Sequence, residues 1–244
     1  MAKKSTSADP KPTTSPSKVL QLIREKWPEY VLEVVVIIFS ITISFAFDEW
    51  KDERHKRELE QTYLKGLYSD IQTDISQLGE VIAETKQVVQ IATKLTTVTP
   101  QSPTIDYHQF VSDVRFIFKR PRFVAEDATF SDLKSTGNMQ VISKFPLKQA
   151  LFDYYKQYET IGRVETAELE TTNTIIGPYL LARLPLAEQA SQPPKSNWTA
   201  VMTETAYQNA VLVRRATREE LLQDYQQSLR LGKAILASIK SQLN

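Results

Sequence analysis

The hydrophobic pattern changes once along the chain, near residue 50. Residues 30–47 read YVLEVVVIIFSITISFAF, an almost continuous apolar run, whereas from Leu59 onward apolar residues recur every three or four positions, as in amphipathic helices. A spanning helix needs about 20 mostly apolar residues to cross a bilayer. The pattern therefore predicts a transmembrane helix over residues 29–50 and a helical domain over residues 51–244.

Aromatic residues flank the apolar run. Trp27 and Tyr30 lie at one end and Trp50 at the other, where amphipathic rings prefer the headgroup level of a bilayer. We interpret these three residues as membrane-interface anchors. A cleaved signal peptide is the alternative, because residues 44–46 (SFA) have the small residues that cleavage requires. The region before the run is long for a signal peptide, so a retained anchor is favoured.

One acidic residue, Glu33, lies inside the predicted span. Acids within spans are rare and often belong to proton or ion pathways. Glu33 also lies within a turn of one interface, where its carboxylate can reach headgroup water. Both interpretations stay open: a proton-relay group of a stator-like subunit, or an interfacial acid.

Basic residues near the span are almost balanced, with six before it and five in the stretch after it. Orientation follows these charges, so the count alone is nearly a tie. The first charges after the span are Asp48 and Glu49, and the preceding tail is short enough to stay inside. We predict a cytoplasmic amino terminus and a periplasmic carboxy-terminal domain.

The segments before the span differ in composition. Residues 1–15 are rich in Lys, Ser, Thr and Pro and predict a disordered cytoplasmic tail. Residues 16–28 predict a juxtamembrane amphipathic helix with proline at its first position. Basic residues on this helix favour anionic lipid at the inner leaflet, and docking on a partner protein is the alternative.

The periodic region predicts an all-α fold, with three long and two short helices. The first long helix continues from the membrane to about Thr96 as a stalk, until Pro100 and Pro103. Residues 129–132 (TFSD) fit a capping box, and Gly137 fits a helix end. Further long helices are predicted over residues 146–184 and 201–243, the last interrupted near residue 216. Short connections predict an antiparallel helical bundle.

Composition excludes several classes of protein. The chain has no cysteine, so disulfides and thiolate chemistry are absent. The formal net charge of +1 argues against a nucleic-acid binder, and six glycines are few for a phosphate-binding loop. No cofactor, metal site or catalytic motif is indicated, so an enzyme is not predicted.

The candidate metal or acid–base pair is Asp70 and Asp74, one helical turn apart. Paired carboxylates can hold a divalent cation or transfer protons, but His55 and His108 do not fall at helical spacing from them. A solvated helix face is favoured, so both are predicted to be surface acids. Two larger groups of side chains are also candidate binding residues, and each has a structural explanation. The tyrosines of residues 154–158 fit either an aromatic binding surface or the edge of a core, and the core edge is favoured. Five arginines fit a phosphate or headgroup grip, but capping of helix carbonyls or ion pairing is favoured, namely for Arg120, Arg122, Arg214, Arg215 and Arg218.

Two blocks of sequence resemble a known family. The first joins Glu33, Trp50 and Arg54 to residues 63–67 (YLKGL) and 70–74 (DIQTD); the second comprises residues 129–142 and 147–155. Together they resemble domain-of-unknown-function family 6090, whose members are bacterial single-pass envelope proteins with a helical outer domain and no established activity. The resemblance implies an inner-membrane location. Residues 40–44 (SITIS) depart from the family's small and aliphatic mix.

These observations predict a membrane-anchored extracytoplasmic module for interaction, sensing or scaffolding. Its expected partners are the lipid bilayer, a membrane or envelope protein, and further copies of the chain, because a lone stalk helix gains stability by packing. The rival prediction is a stator-like subunit of a proton-driven complex that uses Glu33. A hydrolytic or metal-dependent enzyme using Asp70 and Asp74 is the third class.

Overall fold

The computed structural model describes residues 16–97, 106–184 and 198–243, and the regular structure in those ranges is helical. The all-α prediction is confirmed. The predicted tail (1–15), the break at Pro100 and Pro103 and the polar loop at 187–197 lie outside the described residues, as do the side chains of residues 16–25. Six α-helices are α1 (Pro16–Thr97), α2 (Tyr107–Phe116), α3 (Ala128–Ser135), α4 (Phe145–Thr171), α5 (Gly177–Arg183) and α6 (Thr205–Leu243). A π turn (Thr172–Ile176) joins α4 to α5, and 3-10 turns occupy Asn138–Val141 and Trp198–Thr203.

The chain divides into two compact units, residues 1–57 and 58–244. In the first unit α1 continues through Pro28 without interruption, so the predicted juxtamembrane helix is not a separate element. The side chains of residues 26–57 are exposed, including those of the apolar run. By length and composition, the described part of the chain has one helix able to cross a membrane, near the amino terminus.

In the second unit successive legs of the chain alternate in direction. Backbone amides of Val124, Glu126 and Thr129 donate to side chains of α1 in descending order, namely Gln77, Asp74 and Asp70. The part of the chain that comprises α2, an extended segment and α3 therefore runs antiparallel to α1. The helix α4 then runs parallel to α1, and α6 runs antiparallel to both. The alternation agrees with the predicted antiparallel bundle.

Most buried positions on α1 and α6 alternate in spacing between three and four residues, the period of helices that pack lengthwise; Ile82 and Ala210 are also buried, each next to a member of this row. On α1 these positions are Leu64, Leu67, Ile71, Asp74, Leu78, Val81, Thr85, Val88, Ala92 and Leu95. On α6 they are Tyr207, Val211, Arg214, Arg218, Leu221, Tyr225, Ser228, Gly232, Ile235 and Ile239. Most members are apolar, so the few polar ones occupy core positions.

The π turn between α4 and α5 shifts the register of buried positions by one residue. Glu165, Glu168 and Thr172 continue the buried row of α4, but the next buried residue is Ile176, 5% exposed, whereas Ile175 is 66% exposed. A π turn inserts one extra residue per turn. The amide of Gly177 donates to the carbonyl of Thr172, and a Cβ on Gly177 would lie 2.9 Å from that oxygen. Glycine therefore permits the close approach.

The second unit contains two hydrophobic cores. The first core joins the α1 residues from Leu64 to Ile82 with α3, most of α4 and the carboxy-terminal half of α6. The second joins Val88, Ala92 and Leu95 of α1 with α2, α5 and the start of α6. Between the two cores lie buried polar residues, which we call the polar layer: Thr85, Glu165, Glu168, Thr172, Arg214 and Arg218.

Local signals in the sequence differ from the structure at two places. The N-cap of α3 is Asp127, and the amide of Thr129 donates to Asp70 at 3.2 Å; the predicted capping box is therefore wrong, because a side chain of α1 supplies the acceptor. The predicted interruption near residue 216 is also wrong, since α6 is continuous. Gly137, at φ 75°, follows the end of α3 as expected.

Candidate functional site

The polar layer surrounds the extended backbone that follows α2. Segments without regular structure must satisfy their amides and carbonyls through other groups when they are buried. The carbonyls of Ile117 and Lys119 accept from the Arg214 guanidinium at 2.5 and 2.7 Å, and the carbonyl of Pro121 accepts from Arg218 at 2.9 Å. Two arginines of α6 thus replace the backbone partners that a helix or sheet would supply.

Both arginines also bind one carboxylate. Glu168 accepts hydrogen bonds from Arg214 and from Arg218, and its side chain is 5% exposed. Burial lowers the pKa of Arg214 to about 10, while the charge of Glu168 acts in the opposite direction. Arg214 therefore remains charged at neutral pH. The layer buries two guanidinium groups on one shared carboxylate, and the carbonyls supply their further acceptors.

A second carboxylate of α4 completes the layer. Glu165 accepts from the Tyr225 hydroxyl at 2.6 Å and from the amide of Phe123 at 3.2 Å. The exposed side chain of Arg122 lies 3.2 Å from the other carboxylate oxygen. Burial and the hydrogen bond to Glu165 raise the pKa of Tyr225, so its hydroxyl stays a donor. Glu165 thus has two neutral hydrogen-bond donors and one charged partner.

Asp74 forms a separate buried site within the first core. Its carboxylate accepts from the amide of Glu126 and from the Tyr154 hydroxyl, both at 2.8 Å. Burial raises the pKa of Asp74 to about 6, against the lowering effect of these two hydrogen bonds. Asp74 is 0% exposed, which differs from the surface acid predicted. Asp70 is partly buried and binds the amide of Thr129. These contacts give both acids a structural use.

Three cavities border the polar layer. One of about 370 Å³ lies between α4 and α6, beside Glu168, Thr172 and Arg214. A second of about 370 Å³ lies beside the π turn, and its lining includes Arg120 and Thr172. The third, about 200 Å³, is lined by Arg120, Arg122 and Arg218 among others. The Thr172 hydroxyl is buried without a hydrogen-bond partner, and π turns are frequent at functional sites. This region is the strongest candidate site of the second unit.

The predicted membrane residues all lie in the first unit. Trp27, Tyr30 and Trp50 are more than half exposed, and Glu33 is exposed. The guanidinium of Arg54 lies 5.8 Å from the centroid of the Trp50 ring. Glu33, Ser40 and Ser44 are spaced by seven and four residues, which places them on one face of a helix. The structure therefore places Glu33 on one helix face with two hydroxyls of the apolar run.

The described residues contain no candidate metal site: no group of three or more His, Asp or Glu side chains there is arranged to hold an ion. Sequence reasoning proposed Arg214 and Arg218 but missed Glu165 and Glu168. The signal that would have found all four is register, since each stands in an otherwise apolar row spaced by three and four residues. Charged residues in such a row predict buried partners on a facing helix.

Comparisons were made with protein-family models, with curated proteins and with solved structures. None of the three produced a match for this chain. The geometry of the polar layer and of the exposed apolar helix therefore carries the functional argument.

Proposed function

We propose that this protein is a single-pass membrane-anchored module for interaction, sensing or scaffolding, with no catalytic activity of its own. The observation that carries the proposal is the exposed apolar stretch of α1, long enough to cross a membrane. Exposing so much apolar surface to water is unfavourable, and lipid would cover it. The resemblance to domain-of-unknown-function family 6090 supports a bacterial inner membrane, with residues 51–244 in the periplasm.

The polar face of the span favours a protein partner within the membrane. Hydroxyls of Ser40 and Ser44 donate to carbonyls four residues earlier, at 2.7 and 2.9 Å, so they present small side chains along one face with Glu33. Small and hydroxyl-bearing residues allow spanning helices to approach closely. The partner is a second copy of the chain or a multi-span protein.

The anchor is tested by changing the span in the full chain. Ile38→Lys with Ile41→Lys adds roughly 5–7 kcal/mol to the cost of insertion, and we expect the double variant to leave the alkali-washed membrane fraction. Ile38→Leu with Ile41→Leu is the matched control and should stay in that fraction. An unsubstituted chain that alkali releases from membranes would contradict the proposal.

Orientation can be measured without background, because the chain has no cysteine. Ser135→Cys should react with a membrane-impermeant maleimide when only the outer membrane is permeabilised. Ser7→Cys should react only after the inner membrane is opened. The reverse pattern would contradict a periplasmic domain.

The alternative function is a stator-like subunit that uses Glu33, and its position on the polar face favours it. Capture of the full-length protein from native membranes in mild detergent separates the two. A stoichiometric multi-span partner, together with loss of function in Glu33→Gln at unchanged abundance, would favour the stator. A self-oligomer with a tolerant Glu33→Gln variant would favour the interaction module.

A further inference from the structure

One end of the second unit carries an exposed aromatic side chain. This end comprises residues 58–63, 132–148 and 239–243, and we call it the entry end because the unit begins there, at Glu58. Phe145, the first residue of α4, is 69% exposed, and Pro146 beside it is also exposed. A lone exposed ring is common on protein surfaces, so its surroundings decide whether it has a use.

Hydrogen bonds bring the three segments of the entry end together. The amide and hydroxyl of Ser143 donate to Glu60 at 2.6 and 2.7 Å, which fixes the start of α4 beside α1. The Tyr63 hydroxyl donates to Asp132 at 2.8 Å, and the Gln61 side chain donates to the carbonyl of residue 242 at 3.4 Å. The start of α4 and the ends of α3 and α6 therefore meet the same part of α1.

The entry end also carries four lysines, namely Lys134, Lys144, Lys148 and Lys240. None of the four has an ion pair or a side-chain hydrogen bond within the part of the chain that the structure describes. The carboxylates at this end are fewer, and each interacts within the chain: Glu60 with Ser143, Asp132 with Tyr63, and Glu58 as well. The positive charge of the entry end is thus left for a partner outside the bundle.

Cations at the opposite end of the bundle are used differently. There Lys94 pairs with Asp113 at 2.6 Å, and Arg183 pairs with Glu204. These pairs compensate charge inside the chain, as surface ion pairs usually do. A group of unpaired lysines beside an exposed ring is therefore not simply a consequence of the overall composition.

The entry end is joined to the apolar run of α1 by a short piece of chain. Glu58 follows Trp50 by eight positions, and even a fully extended chain of that length reaches only about 30 Å. Anionic phospholipids attract lysines near the bilayer surface, and this attraction extends over a Debye length of about 8–10 Å. Aromatic rings among basic side chains suit the boundary between headgroups and acyl chains.

We infer that the entry end docks on anionic phospholipid headgroups of the membrane that holds α1. Phe145 inserts its ring among the headgroups, and the four lysines bind their phosphates as point charges. Docking holds the second unit against the bilayer rather than free on a stalk. The inference rests on the membrane anchor proposed above, and it adds a second, separate contact with lipid.

Quenching by a lipid-borne nitroxide tests the inference in the full-length chain, reconstituted in vesicles whose phosphatidylcholine carries the nitroxide on its headgroup. The chain has no cysteine, so one fluorophore can be placed at Gln149→Cys, an exposed position of α4 one helical turn from Phe145. Ala182→Cys is the matched control, because it is an exposed position of α5, which packs in the second core. With phosphatidylglycerol present, we expect quenching at least about twofold stronger at residue 149 than at residue 182, and a decrease when phosphatidylglycerol is omitted.

The outcomes separate the anchor from the docking. A chain that alkali releases from the vesicles would contradict the anchor, and the inference with it. A retained chain with equal quenching at the two positions would overturn the inference alone. A label at residue 149 that is shielded from aqueous iodide with or without phosphatidylglycerol, yet weakly quenched by lipid, would indicate a protein such as a second copy on this end and would also overturn it.

Variants in the Gln149→Cys background locate the contact. Phe145→Ser, and separately Lys144→Gln with Lys148→Gln, should each lower the lipid quenching by about half or more, because one removes the inserted ring and the other removes two charges. Lys86→Gln with Lys156→Gln is the matched control: it removes two exposed lysines outside the entry end and should leave quenching unchanged. Thermal melts confirm that each variant is folded. Unchanged quenching in either entry-end variant would overturn the assignment.

Discussion

The helical bundle buries carboxylates in two different environments. In the polar layer Glu168 faces two buried guanidinium groups. In the first core Asp74 faces a tyrosine hydroxyl and a backbone amide but no cation. Burial disfavours an ionised carboxyl in both places, but a nearby cation compensates for the lost water far more than neutral donors do.

The difference has a consequence for pH. Asp74 has its pKa raised to about 6, because burial outweighs its two hydrogen bonds, so its charge changes within a biologically accessible range. Glu168 is part of a compensated ionic group, whose loss would leave charges buried without a counterion. The polar layer is therefore expected to be sensitive to substitution, and the Asp74 site to be sensitive to protons.

The largest expected effect comes from removing the charge of Glu168. Glu168→Gln leaves Arg214 and Arg218 buried without a counterion, and we expect a loss of about 3–5 kcal/mol in the free energy of unfolding. Glu219→Gln is the matched control, since Glu219 is exposed and lies 3.6 Å from half-buried Arg215; an ion pair at the surface contributes less than about 1 kcal/mol. Urea denaturation of both full-length variants measures the difference. Equal losses would erase the distinction between the two environments.

The next effect is a pH dependence carried by Asp74. Because its folded pKa, about 6, lies above the ordinary value of 3.8, the folded state binds the proton more tightly. Its contribution to stability is fully present below about pH 4 and is lost as pH rises through 6, by about 3 kcal/mol in total.

Asp74→Asn should abolish that part of the slope, because the amide oxygen still accepts from Glu126 and carries no charge. The measurement is the free energy of unfolding from pH 4 to pH 8 for both chains, and the difference between the two curves isolates Asp74 from other titrating groups. Parallel curves would show that Asp74 ionises in the folded protein as easily as in the unfolded one.

How far the sequence predicts this structure depends on the kind of signal. The apolar run and the three-to-four spacing predicted the class and the long helices, because each records a periodic burial of whole faces. Asp74 occupies an internal position of the α1 row, with the same spacing as its apolar neighbours. Its carboxylate alone nevertheless led to the prediction of a surface residue. The extended segment around Pro121 could not be foreseen, since its acceptors and donors come from residues 42 to 104 positions away.

The π turn has a similar status. Ile175 and Ile176 are equivalent in hydrophobicity, and local sequence does not distinguish the exposed one from the buried one. The buried row from Glu165 to Thr172 would continue at Ile175, but the residue that packs into the second core is Ile176. Only this comparison shows that the helix contains one extra residue. The candidate cavity depends on that insertion, so it too was invisible before the helices were assembled.

The smallest expected effect compares one hydroxyl at each carboxylate. Tyr154→Phe leaves Asp74 with the Glu126 amide alone, and we expect a loss of about 1.5–3 kcal/mol at pH 7, where the carboxyl is ionised. The loss should shrink at pH 5, because a protonated Asp74 needs the donor less. Tyr225→Phe is the counterpart in the polar layer: Glu165 retains Arg122 and the Phe123 amide, so the loss at pH 7 should be smaller, about 1 kcal/mol. If Tyr225→Phe instead loses as much stability at pH 7 as Tyr154→Phe, the cation beside Glu165 does not compensate for the missing hydroxyl, and the contrast between the two environments fails.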